Sequence, residues 1–185
     1  REEIFTLGKR HGKAVFVLSS DIPESPEEKD AGRVVRLDPG SKRRFAGGKH
    51  GVLNVFTLKS TDLGVAFLVN YAGKTVYHAG DLHWWAWPDN EPDYDRDMKE
   101  QFFREIGTLK GLTLDAAFLT LDGRLEENYW MGFDAIMRTA NVRNAFPMHM
   151  WQDYSVVDAF CNREDAQPYR DRIRKIGWTG QTFEI

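Results

Sequence analysis

The chain has a single cysteine, Cys161, among 185 residues, so no internal disulfide can form and nothing marks it for an oxidising compartment. The cytoplasm is the expected location. Long apolar runs are also missing. The longest are strand-sized, and the opening REEIFTLGKR is charged and helical in pattern rather than a basic-then-apolar leader, so neither a membrane span nor a signal peptide is read. There is no excess of one charge either. Lys plus Arg number 25 against 28 Asp plus Glu, a weakly acidic balance that offers a phosphate backbone no broad attraction, and no nucleic-acid partner is expected. G-x-S-x-G, P-loop and G-x-G-x-x-G motifs do not occur, which removes the usual serine-elbow and nucleotide-cradle chemistries. Cys161 lies in an apolar helical pattern with no activating neighbour in sequence, so it is not a nucleophile candidate.

What is present is enough apolar material, 42% of residues, for one sizeable core. After an amphipathic stretch over residues 2–10, AVFVLSS reads as a buried strand, and DIPESPEEKDAG as a surface connection. RVVRL and KRRFAG flank the turn sequence DPGS and predict a hairpin. VLNVFTL, GVAFLVNY and KTVYHAG then succeed one another as an antiparallel meander, with Ala72-Gly73 as the tight turn between the last two. DNEPDYDRDMKEQFFREIGTLKG predicts a helix with its acids at the positive N-terminal end. LDAAFLT and NAFPMH read as strands, and NYWMGFDAIMRTA, SVVDAFCN and PYRDRIRKIG as helices. The whole, residues 1–185, reads as one α/β domain.

One stretch stands out. In TVYHAGDLHWWAW, residues 75–87, a strand breaks at Ala79-Gly80-Asp81, and three tryptophans and two histidines crowd around one acid. A carboxylate or imidazole just past a strand end is where hydrolases place metal ligands, because the rigid strand fixes the ligand's direction. Asp81 fits that description, with Gly80 free to make the sharp bend, and His149 fits it after NAFPM. Taken singly, an Asp after Gly is more often a turn or cap residue.

The ordered set VYHAGD, LDAAFLTLD and FPMHMW resembles the metallo-β-lactamase superfamily, and within it the ascorbate-6-phosphate-lactonase-like branch, over essentially the whole chain. The resemblance implies an αββα sandwich and a metal-dependent hydrolase, in which two divalent ions activate water for attack on a carbonyl or phosphoryl centre. It implies that Asp81 bridges the ions and that His149 binds the second. It implies zinc as the metal, with manganese or iron as alternatives. The superfamily's H-x-H-x-D-H segment is not in this sequence, so the resemblance also implies that the N-terminal part of the sandwich is missing and the metal site incomplete in this chain, with self-association or a covering segment at the incomplete sheet. Where relatives carry a further histidine, the chain has Ser60, Thr61 and Asp62; Asp62 is either an oxygen ligand or a turn residue. His78 is expected to pack or hydrogen-bond beneath the site, and His83 to be a loop residue or to meet substrate. Trp84, Trp85, Trp87 and Trp151 are either pocket walls or core and lid packing; Trp84 and Trp151, which flank the proposed ligands, are the ones expected to wall a pocket for a small-molecule substrate. The competing reading is a non-catalytic remnant or binding domain that keeps the fold without a complete metal pair.

Overall fold

The computed structural model describes residues 6, 10–25, 28 and 33–185. Most of the amphipathic stretch expected over residues 2–10 lies outside the described residues. The remainder is a mixed α/β fold organised by a six-stranded sheet. Its strands are β3 (Lys42–Ala46), β4 (Val52–Lys59), β5 (Val65–Tyr71), β6 (Lys74–His78), β8 (Ala116–Thr120) and β10 (Ala145–Met148), in the spatial order β10-β8-β6-β5-β4-β3. β4 to β6 form the expected antiparallel meander, which β3 extends, and its last turn carries Ala72 and Gly73 at φ 49° and 75°, the left-handed pair a two-residue hairpin demands. β6, β8 and β10 run parallel to one another, because the chain returns through helices between them. Two-stranded pairs complete the sheets: β1 (Val15–Ser19) with β2 (Arg33–Leu37), and β7 (Thr113–Leu114) with β9 (Asn141–Val142).

Three α-helices cover one face of the large sheet. α1 (Pro92–Ile106) starts on a proline, carries Asp93 and Asp95 in its first turn and Arg104 in its last, and buries Met98, Phe102 and Ile106 at four-residue spacing. α2 (Met131–Thr139) buries Phe133, Ile136 and Met137, and α3 (Ser155–Asn162) buries Val157, Phe160 and Cys161. Apart from Met98, which packs with Trp85 and Leu125, their buried residues meet Tyr77, Ala117, Leu119 and Ala145 of the strands in one core. Each large side chain fully buried there stabilises the fold by about 1.5–3 kcal/mol.

On the opposite face of the sheet, His78, Phe118, Phe146 and the C-terminal Phe183 form a row of ring contacts with centroids 5.6, 5.1 and 5.4 Å apart. A groove of about 840 Å³ opens there, lined by Val76, Phe118, Phe146, Met148, Trp178 and Ile185 among others.

Two expectations are corrected. The segments around DPGS do not pair: β2 joins β1 in a parallel pair, whereas β3 joins β4. The turn is claimed by β4, since Thr57 Oγ1 donates to the Asp38 carbonyl and Gly40 N–H to the Thr57 carbonyl, which diverts the chain from a hairpin. The last expected helix is a 3₁₀ stretch, Gln167–Arg172, that stops where Ile173 bridges to Ala145 and Arg174 N–H donates to the Ala145 carbonyl. Among the described residues, no helix is long and apolar enough to cross a membrane.

Candidate functional site

The three parallel strands end at the same edge of the sheet, and each is followed within three residues by a group that can bind or move protons. β6 leads to Asp81, β8 to Asp122 and β10 to His149. The C-terminal edge of parallel strands is where α/β folds collect ligands, because side chains leaving neighbouring strands converge there.

The bend after β6 is built to aim Asp81. Gly80 sits at φ 56°, and a Cβ there would press to 3.0 Å from the Val65 carbonyl oxygen, so a side chain is opposed by both conformation and space. Ala79 N–H donates to the Phe118 carbonyl, Thr120 Oγ1 donates to the Gly80 carbonyl at 3.1 Å, and Gly80 N–H donates to His78 Nδ1 at 3.1 Å. His78 thus braces the bend from below, and burial lowers its pKa against the opposing pull of Asp81. Trp85 Nε1 donates to the Asp81 carbonyl at 3.0 Å, fixing the outgoing chain.

His149 is the pivot. Its Nδ1 lies 2.8 Å from Asp122 Oδ2, and its Nε2 lies 3.5 Å from Asp81 Oδ1. Asp122 has a fully buried side chain, and burial alone would raise its pKa; hydrogen bonds from Arg124 and His149 outweigh that and hold the carboxyl below its ordinary value. An ionised carboxylate only accepts, so His149 Nδ1 carries the proton in this contact. In the neutral ring, Nε2 is then a lone pair facing another carboxylate oxygen. Two acceptors at that separation repel unless a cation or a proton lies between them. That geometry is the structure's test of the implied metal, and the donor pair of one imidazole nitrogen and one carboxylate oxygen fits a divalent ion. The fit is partial: among the described residues no group of three or more His, Cys, Asp or Glu could hold a metal ion.

A cavity of about 420 Å³ lies over these groups, lined by Asp62, Asp81, Trp85, Arg124, His149 and Trp151 among others. Trp85 and Trp151 both contact the His149 ring edge-on, at 5.5 and 5.6 Å, and Trp87 stacks on Trp85 at 6.0 Å. Of the residues expected at the site, Asp81, His149, Asp62 and Trp151 share this cavity. His83 and Trp84 do not line it. His83 is fully buried, 5.0 Å from the Trp85 ring, and is held by Thr61, whose Oγ1 accepts from His83 N–H and donates to the His83 carbonyl. Trp84 instead packs on Phe103 with the Lys99 ammonium 5.0 Å above its ring. Asp122 and Arg124 are not singled out by the sequence pattern, whereas Trp85 and Trp87, left open there between pocket wall and core packing, line the cavity. A signal for Asp122 exists, since it comes after its strand as Asp81 and His149 come after theirs.

No sequence-family profile matches the chain, and no curated protein does. Solved structures give 19 matching chains, among them the following three. A mutant of the β-hydroxylase CmlA is 12% identical with a TM-score of 0.48, over 76% of this chain and 32% of that one. Zinc-bound PqqB from Methylobacterium extorquens is 12% identical with a TM-score of 0.48, over 95% of this chain and 64% of that one. A candidate Zn-dependent hydrolase of the metallo-β-lactamase superfamily from Thermotoga maritima is 14% identical with a TM-score of 0.40, over 80% of this chain and 75% of that one. The chain therefore spans under two thirds of the first two. At such identities and TM-scores, none of these likenesses bears on the chemistry of the site.

Proposed function

We propose that this chain contributes part of the active centre of a metal-dependent hydrolase, with Asp81 and His149 as metal ligands. The observation that carries the proposal is the convergence of Asp81 Oδ1 and His149 Nε2 at 3.5 Å from the ends of two different strands. A divalent ion, zinc by the resemblance with manganese or iron equally suited to the donors, would supply Lewis-acid activation of water and of the substrate's carbonyl or phosphoryl oxygen. Asp81 would neutralise positive charge at the cavity floor, and its side chain, 41% exposed, is free to do so. His149 would present Nε2 in the one tautomer that Asp122 permits. Trp85 and Trp151 would keep bulk water away from the reacting groups and orient an apolar part of the substrate. Asp62, at the cavity wall, is placed to add an oxygen ligand or a substrate contact.

The second reading, a domain that keeps the fold without a working metal pair, is favoured by the lack of a three-ligand cluster among the described residues. One experiment separates the two. The whole protein is purified and its divalent metal measured by mass spectrometry, and turnover of lactone, phosphodiester and thioester substrates is compared with that of Asp81→Ala. Metal content together with turnover lost in the variant supports the hydrolase. No metal, or full activity in Asp81→Ala, leaves the binding domain.

A further inference from the structure

We propose that Arg124 is a positioning residue for His149: it locks Asp122, and through Asp122 it fixes both the tautomer of His149 and the turn that carries it. The proposal rests on the reading of His149 as a site residue but concerns groups that reading does not assign.

Asp122 accepts four hydrogen bonds from Arg124, one of them from Nε to Oδ2 at 3.1 Å. The Arg124 backbone N–H donates to Oδ1 at 3.0 Å, Nε donates to Oδ1 at 2.9 Å, and Nη2 donates to Oδ2 at 2.5 Å. The side chain thus grips the carboxylate along both oxygens, and Oδ2 also accepts from His149 Nδ1. The guanidinium is also stacked. Its carbon lies 5.0 Å from the Trp151 ring centroid and 5.6 Å from that of Trp87. Trp87 belongs to the loop after β6 and Trp151 to the loop after β10, so one side chain from the loop after β8 ties all three strand ends together. The tie sits where the backbone is strained: His149, Trp151 and Gln152 have φ of 72°, 51° and 69°, the left-handed region that non-glycine residues avoid. Such a turn persists only if its surroundings over-determine it. Lysine cannot substitute, because a point charge lacks the planar fork that grips two oxygens while stacking on a ring.

The test needs no substrate. With ¹⁵N-labelled histidine, the tautomer of neutral His149 is read by NMR in the chain itself, in wild type, Arg124→Ala, Arg124→Lys and Asp122→Asn. The same proteins are titrated with zinc against a chelating dye, with Arg96→Ala, a surface variant, as control. Wild type is expected to hold the proton on Nδ1. Arg124→Ala and Asp122→Asn are expected to shift it toward Nε2, with zinc affinity falling about 10–100-fold where zinc binds. Arg124→Lys, which keeps the charge should the alanine variant fail to fold, is expected to recover little. A wild-type proton on Nε2, or an unchanged tautomer in Arg124→Lys and Asp122→Asn, overturns the proposal. Absence of zinc binding in a wild type that shows the Nδ1–H form would count against the metal reading alone.

Discussion

His83→Leu should remove much of the chain's sensitivity to mild acid. The His83 ring is fully buried beside Trp85 and Phe102, and neither ring nitrogen hydrogen-bonds to the protein among the described residues. Burial pushes its pKa down from 6.5 to about 3; Asp122 opposes the shift and His149 adds to it. The sign comes from proton counting. Between those two values the unfolded chain takes up a proton that the folded chain refuses, so the stabilising contribution is complete above the unfolded value and is lost as pH falls. One proton corresponds to about 1.4 kcal/mol per pH unit, so from about pH 6.5 to about pH 4.5 the loss is roughly 2–3 kcal/mol. Stopping at about pH 4.5 keeps the comparison above the ordinary carboxylate range, where Asp122, held low by Arg124, would add its own loss. The assay is urea unfolding monitored by tryptophan fluorescence at about pH 7.5 and about pH 4.5. The difference between wild type and variant at one pH contains the packing cost of leucine; the change in that difference between the two pH values does not. It should favour the variant by about 2–3 kcal/mol at the lower pH. A change below about 0.5 kcal/mol would show that His83 does not reside in a dry, neutral site.

Gly132→Ala should destabilise by about 1–3 kcal/mol in the same assay, because its Cβ would meet the His83 ring and lie 3.0 Å from Trp84 N; any net stabilisation would show that α2 does not pack on His83 as described. Thr61→Val, which removes both hydrogen bonds to the His83 backbone, should cost about 1–3 kcal/mol, and a neutral result would show that the 61–83 link is unimportant. On the proposed hydrolase reading, Asp81→Ala should leave the melting temperature nearly unchanged while abolishing turnover, and His149→Ala should reduce it less severely; circular dichroism and metal analysis of the same samples check that the loss is chemical.

Much of the fold is legible in the sequence because its signals are local. The β4–β6 meander arises from alternating patterns and the Ala72-Gly73 turn, and α1 from Pro92, the early acids and the spacing of Met98, Phe102 and Ile106. The failures are long-range. Nothing local in RVVRL tells that β2 will choose β1, or that Thr57 will capture the turn between β2 and β3. PYRDRIRKIG has helical spacing, yet Ile173 gains more by bridging to the strand edge at Ala145 than by extending a helix. The site shows the same division. Asp81 and His149 can be picked out because each comes directly after a strand. Which tryptophans line the cavity cannot, because in LHWWAW the bend decides whether 84 or 85 faces inward, and it sends Trp85 to the Asp81 carbonyl and Trp84 to Phe103.

Asp122 is the instructive omission. In LTLDGR an acid before glycine reads as a turn residue, and its side chain does accept from the Arg124 backbone N–H, as a turn residue would. What changes its role is burial: with none of the side chain exposed, the carboxylate needs compensating donors, and Arg124 and His149 supply them. The magnitudes make the coupling reciprocal. A left-handed, non-glycine backbone such as that of His149 costs about 1–3 kcal/mol, and a hydrogen bond to a charged group contributes about 1.5–3 kcal/mol. The bond from His149 Nδ1 to Asp122 is therefore of the size needed to hold the turn that aims Nε2 at Asp81. Without Asp122 the turn has reason to relax, and without the turn Asp122 is a buried charge with one partner fewer. Neither residue has that property in isolation, which is why it becomes visible only when the ends of β8 and β10 are seen side by side.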